Sequence, residues 1–338
     1  MNSIKKMMLS GALGCLISGM AYADGSSPQP VKPYWQDIQV VAVNKEKPRS
    51  SFMSYADRET ALTSRFEKSP YYSLLNGTWK FFFVDSYKDL PQNITDPSVN
   101  TSSWDDITVP GNWEVQGHGV AIYTNHGYEF KPRNPQPPLL PEANPVGVYR
   151  RDIEIPASWD NRDIYLHIGG AKSGLYVYLN GKEVGYSEDS KNPAEFLINK
   201  YLQPGKNVLT LKIFRWSTGS YLECQDFWRM SGIERDVFLW SQPKASIQDF
   251  RVVSTLDDTY TNGIFKLAVD LKNHTQETKN LNVGYELLDA KGNLVTSEAN
   301  DIWVSPASPQ TASFEYDLKN VAPWSAEHPN LYKLLMTI

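Results

Sequence analysis

Cysteine is nearly absent: Cys15 and Cys224 are the only two in 338 residues. So sparse a supply excludes a disulfide scaffold, and a chain of this size can bury cores large enough to do without one. Cys224 has no sequence signature of an activating base beside it, so it reads as a tolerated free thiol rather than a nucleophile. Histidine is also scarce. His118, His126, His167, His274 and His328 are scattered, with neither an HExxH run nor a paired spacing to Cys, and no metalloenzyme signature results. Clustered Lys and Arg are missing too. The net charge is -5, and the short run Asn44–Arg49 reads as a solvated turn, so phosphate binding and a nucleic-acid partner are excluded. No glycine fingerprint follows a strand and opens a helix, which removes support for nucleotide binding. Finally, no apolar run is long enough for a comfortable membrane span.

What is present begins with the start of the chain. Lys5 and Lys6 precede an apolar stretch from Met7 to Met20, followed by Ala21-Tyr22-Ala23. This is the pattern of a secretory signal, residues 1–23, and it implies export to the periplasm or the extracellular space. A rival reading places a lipoprotein cysteine at Cys15.

The 41 % apolar content of the whole sequence suffices for two domains with their own cores. Short β-branched and aromatic runs broken by turn residues dominate, and no long stretch has a period of 3.6. Residues 75–84, 146–155 and 162–169 read as strands. The clearest local signal is LYVYLNGKEVGYS, where alternating residues flank Asn180-Gly181, a dipeptide suited to a two-residue hairpin turn. A Pro204-Gly205 turn and further strands follow. The expected fold class is all-β: a jelly-roll sandwich over residues 24–242, then an immunoglobulin-like sandwich over 243–338 with five strand-like runs, at 247–256, 263–273, 281–298, 310–318 and 331–338. The last alternation runs into Ile338 without a turn or cap, so the second sandwich is expected to be incomplete at its C-terminus.

Two segments concentrate rings and charges: residues 109–130 and the loop RWSTGSYLECQDFWRMSGIERDV at 215–237. Together they hold Asn112, Trp113, Tyr123, Asn125, Trp216, Asp226 and Trp228, side chains able to grip sugar hydroxyls and stack on sugar C–H faces. Glu223 and Asp226 could suggest a pair of glycosidic carboxylates. Three residues apart in an irregular loop, among arginines, they are better suited to structural or ligand-holding roles.

These segments, with SLLNGTWKF, NPVGVYRRDIEIP, LNGKEVGYSEDSKNPAEF and PWSAEHPNLYKL, resemble in order the amino-terminal portion of bacterial β-galactosidases of glycoside hydrolase family 2. The resemblance runs from about Trp35 to the end. It implies a sugar-binding jelly roll, an immunoglobulin-like sandwich and a (β/α)₈ barrel beyond Ile338 carrying both catalytic glutamates and the magnesium ligands. No residue of this chain is then catalytic. Asn125, matching the family's IYTN, would hydrogen-bond galactose. Asp226, matching the second acid of the family's DQD, would bind a galactose hydroxyl and share a sodium ion with the barrel. The first acid is Cys224 here, which puts the local charge balance and sodium dependence in doubt. The implied whole is a retaining hydrolase of terminal β-galactosides, its partners the galactoside and its own barrel, its homo-oligomeric state open. Two other readings remain: a stand-alone carbohydrate-binding or adhesion sandwich protein, and a β-mannosidase or β-glucuronidase relative.

Overall fold

In a computed structural model, residues 32–130 and 134–338 are described. The secretory-signal reading and the rival at Cys15 lie outside these residues. No helix among the described residues is long and apolar enough to cross a membrane.

The leading sandwich pairs a seven-stranded antiparallel sheet with a four-stranded one. The larger runs in the order Ala42–Val43, Lys182–Ser187, Gly174–Leu179, Lys206–Phe214, Val146–Glu154, Gly77–Val84, Asp105–Val109. The smaller runs Ala194–Leu197, Arg162–Ile168, Val237–Pro243, Tyr72–Leu74. Alternation in the strands sends Trp79, Phe81, Leu166, Val177, Leu211 and Leu239 into one shared core. The order is non-sequential, because strands switch between sheets as a jelly roll requires.

The Asn180-Gly181 turn forms as its sequence predicts: φ is 53° at Asn180 and 76° at Gly181, both left-handed. A side chain added at Gly181 would also come within 2.9 Å of Pro97 Cδ. Gly181→Val should therefore cost roughly 1–2 kcal/mol from backbone strain alone, more with the clash, read as a shift in the urea midpoint. An unchanged midpoint would mean the turn is not left-handed.

The second sandwich follows after a single residue, Lys244. One sheet is Ala245–Leu256, Gly263–Asn273, Gln310–Leu318; the other is Leu294–Val304, Lys279–Leu288, Lys333–Thr337. Leu267, Val269, Val283, Tyr285, Val304 and Phe314 fill it. The expectation of five strands needs correction to six. The run at 281–298 is a hairpin whose turn is organised by Asp289 Oδ1, which accepts from the backbone N–H groups of Lys291 and Asn293. The all-strand expectation also missed a short α-helix, Arg58–Leu62, opened by Asp57, whose carboxylate accepts from Thr60 N at 2.8 Å.

The sandwiches meet through polar side chains. Asp163 of the first accepts from His274 Nδ1 at 2.7 Å and lies 3.8 Å from Lys272 Nζ, both from the second. A strap at residues 44–52 spans the junction: Glu46 N donates to Glu195 O, and Ser50 N and Oγ reach Asp249 and Phe250.

Candidate functional site

A two-stranded ribbon joins the two segments that sequence analysis singled out. Strand Ile122–Thr124 pairs antiparallel with Phe227–Arg229, in the register Phe227 opposite Thr124, Trp228 opposite Tyr123, Arg229 opposite Ile122. Asn125 follows Thr124 and Asp226 precedes Phe227, so each lies one residue beyond that pair. Both are exposed. An amide and a carboxylate 101 positions apart along the chain thus share one end of one ribbon.

The side chains around them are specific. Tyr123 OH donates to Asp226 Oδ1 at 3.0 Å, and that carboxylate pushes the phenol pKa up, by hydrogen bonding first and by its charge second. His126 Nδ1 lies 2.8 Å from Asn125 Oδ1, which leaves the Asn125 NH₂ free to donate. Tyr123 and Trp228 face solvent with ring centroids 5.6 Å apart. The result is an open rim with an acceptor, a donor and two adjoining aromatic faces.

Beneath the rim, the loop is locked by buried polar contacts together with a cluster of packed rings. Arg229, 1 % exposed, donates through Nη1 to Glu223 O (3.1 Å) and through Nη2 to Thr124 O (3.3 Å), clamping the two ends of the ribbon together. Arg215 Nη2 donates to Arg229 O and Val120 O, and lies 3.7 Å from Glu114, which in turn accepts from Ser231 N. Tyr128, Phe130, Trp216 and Tyr221 pack edge to face behind it. Glu223 accepts from Ser190 N and Oγ at 2.9 and 2.6 Å; it is a loop anchor, as its setting among arginines suggested. Cys224 donates to Ser220 O at 3.0 Å, and burial pushes its thiol pKa up, against the opposing influence of Arg229. A thiol held protonated is not an activated nucleophile.

The sugar-facing list therefore needs trimming. Trp113 is wholly buried and Trp216 nearly so; both are core. Asn112 donates to Ser231 O and supports the loop. Tyr123, Asn125, Asp226 and Trp228 stay at the surface. Sequence reasoning missed His126 as the partner of Asn125, and Lys172, 2 % exposed, whose Nζ lies 3.4 Å from Glu129 and near the Phe227 ring. Nothing in the sequence marks Lys172, since a lone lysine in a two-residue strand looks like surface.

Hard cations want a shell of oxygens. Among the described residues no group of three or more His, Cys, Asp or Glu side chains could hold a metal. Asp226 Oδ2 accepts no hydrogen bond from a described residue.

Two sandwiches in series, the first with an amide, a carboxylate and an aromatic pair at one ribbon end, define a class of all-β module suited to a polyhydroxylated ligand. Residues 72–243 match the sugar binding domain of glycosyl hydrolases family 2, and residues 245–338 match a further region described as glycosyl hydrolases family 2. The chain is 38 % identical over 310 residues to a protein of Priestia megaterium and 33 % identical over 310 residues to one of Psychromonas ingrahamii, both named beta-galactosidase. Each alignment covers 90 % of this chain but only 30 % and 29 % of those relatives. A Bacteroides uniformis beta-glucuronidase structure superposes with a TM-score of 0.65 at 20 % identity, over 78 % of this chain and 30 % of that one, a likeness of fold. The chain belongs to glycosyl hydrolase family 2.

Proposed function

We propose that this chain is the leading part of an exported, retaining β-galactosidase that releases terminal β-galactose, and that its rim completes a pocket whose chemistry is carried elsewhere. The observation that supports the reading is that Asn125 and Asp226 each lie one residue beyond the Thr124–Phe227 pair that ends the ribbon. The relatives named beta-galactosidase support the substrate. Their greater length supports a catalytic barrel beyond these 338 residues, bearing the two glutamates that act as acid/base and nucleophile, with its magnesium.

In that arrangement the Asn125 NH₂ donates to a galactose hydroxyl, and the Asp226 carboxylate accepts from another. The paired rings of Tyr123 and Trp228 keep water from the adjoining face. A sodium ion, when bound, would supply positive charge to orient a hydroxyl, and Asp226 would be this chain's ligand to it. With Cys224 where the resemblance leads one to expect an acid, the ion has one fewer negative charge nearby. The charged start and apolar stretch at Lys5–Met20 support export.

The test has two parts. Purified residues 24–338 should show no turnover of a chromogenic β-galactoside. In the longer protein, Asp226→Ala should lower kcat/KM roughly 10- to 150-fold, as expected for a lost hydrogen bond to a charged group worth ~1.5–3 kcal/mol. Hydrolysis by the short chain, or an Asp226→Ala variant with unaltered kcat/KM, would overturn the reading. Saturable tight galactose binding by the short chain alone would favour a free-standing carbohydrate-binding protein.

A further inference from the structure

We propose that His126 is a positioning residue for the rim: it fixes the Asn125 amide so that the NH₂ group, and not the carbonyl, faces the ligand. An asparagine amide can be turned end for end with little change in shape, so its place at a site does not settle whether it donates or accepts. Something beside it must choose. His126 Nδ1 lies 2.8 Å from Asn125 Oδ1. An amide oxygen only accepts, so the imidazole proton sits on Nδ1, and the Asn125 NH₂, which donates to no described residue, is left for the ligand.

The short stretch that carries both side chains is itself held. Thr124 Oγ1 donates to His126 O at 2.7 Å, Thr124 O accepts from the buried Arg229, and Gly127 turns the chain with a left-handed φ of 73°, which a side chain would strain. These contacts brace the backbone that presents the imidazole to the amide. Asn125 and His126 are exposed in this chain, where water serves either end of the amide. Once a ligand and the rest of a pocket cover the rim, that water is displaced, and an amide oxygen without a donor becomes a buried unsatisfied group. His126 supplies the donor in advance. Tyr123 does the same for Asp226, since its OH occupies Oδ1 and leaves Oδ2. The rim then offers a donor beside an acceptor, which a pair of sugar hydroxyls satisfies by accepting at one oxygen and donating from the other.

The proposal rests on the reading of Asn125 as a galactose ligand, but its first test needs neither sugar nor turnover. Long-range ¹H–¹⁵N NMR of the imidazoles of this chain, at alkaline pH where such rings are neutral, should show His126 with its proton on Nδ1, the tautomer that free histidine populates less. The His126 signals are those missing from His126→Asn. In Asn125→Ala they should move toward the Nε2–H form. The second test is kinetic. In the longer protein, His126→Ala should lower kcat/KM about fivefold, the equivalent of one hydrogen bond. His126→Asn, whose Nδ2 can stand where Nδ1 stood, should restore most of that loss, and in an Asn125→Ala background His126→Ala should cost nothing more. A His126 tautomer unchanged by Asn125→Ala, a His126→Asn variant no better than His126→Ala, or losses that add in the double variant would each overturn the proposal. If the longer protein cleaves no β-galactoside, the galactosidase reading fails, and the tautomer shift by itself decides whether His126 sets the amide.

Discussion

Glu195→Ala destabilises the chain by about 3–5 kcal/mol at neutral pH, the range found when one partner of a buried ion pair is removed. Glu195 accepts from Arg49 Nε and Nη2 at 2.9 Å each, from His167 Nδ1 at 2.8 Å and from Trp240 Nε1 at 3.1 Å. Arg49 is in turn wedged against the Phe52 and Trp240 rings, 4.5 and 4.4 Å from their centroids, and cannot swing into water without unstacking. Deleting the carboxylate leaves a guanidinium and an indole N–H buried without their acceptor. The effect also has a pH signature. Burial works against ionisation of Glu195, but the hydrogen bonds from His167 and Arg49, with their charges, overcome it and hold its pKa below the usual glutamate range. A carboxylate depressed in the folded state stabilises above its unfolded pKa, and that stabilisation fades as pH falls through the folded value. The gap between wild type and Glu195→Ala, measured as urea midpoints from neutral pH downward, should be widest at neutral pH and narrow in acid. A gap that stays constant into acid would mean that Glu195 contributes through packing and not through its charge.

How much of this was readable without coordinates differs by element. The Asn180-Gly181 hairpin and the strand Gly263–Asn273 were legible because their signals are local: a turn dipeptide in one case, a two-residue alternation in the other. The second sandwich lost a strand in the reading because Asp289–Asn293 makes a turn through side-chain hydrogen bonds, which composition barely registers. The helix Arg58–Leu62 is too short to show a period, although Asp57 three residues before Thr60 was a usable cap signal. At the rim, Asn125 and Asp226 came from family resemblance. What places them together, the Phe227–Thr124 register, pairs residues 103 positions apart and leaves no trace in the linear sequence. The polar locks, Arg229 and Arg215, were visible as charges in a loop, but nothing local tells a buried arginine from an exposed one. Burial of Glu195 and Lys172 was likewise illegible, because the charged partner of each comes from a loop or turn distant in sequence, Arg49 and Glu129.

The tryptophans show most sharply what only packing can decide, and they yield the other large effect. Trp113 and Trp228 looked alike in sequence, both aromatic neighbours of a candidate sugar ligand. Trp113 is 0 % exposed, packed on Phe81 and Phe83, while its indole ring closes over Gly147 so tightly that a Cβ there would approach Trp113 Cζ3 to 2.5 Å. Trp113→Ala should therefore cost about 3–5 kcal/mol, the transfer term plus an unfilled cavity, seen as a lower urea midpoint with an unchanged slope. Trp228 is 54 % exposed, and its truncation to Ala should move stability by no more than about 0.5 kcal/mol. Where the rim serves as proposed, Trp228→Ala acts on substrate affinity in the longer protein, whereas Trp113→Ala acts on the fold of the isolated chain. Gly147→Ala, which drives a methyl into the same indole and into Phe81, should mimic the loss at Trp113 without removing a ring. If instead Trp113→Ala left the midpoint in place, the indole would not be part of the core, and the loop it braces could not hold the ribbon that pairs Asn125 with Asp226.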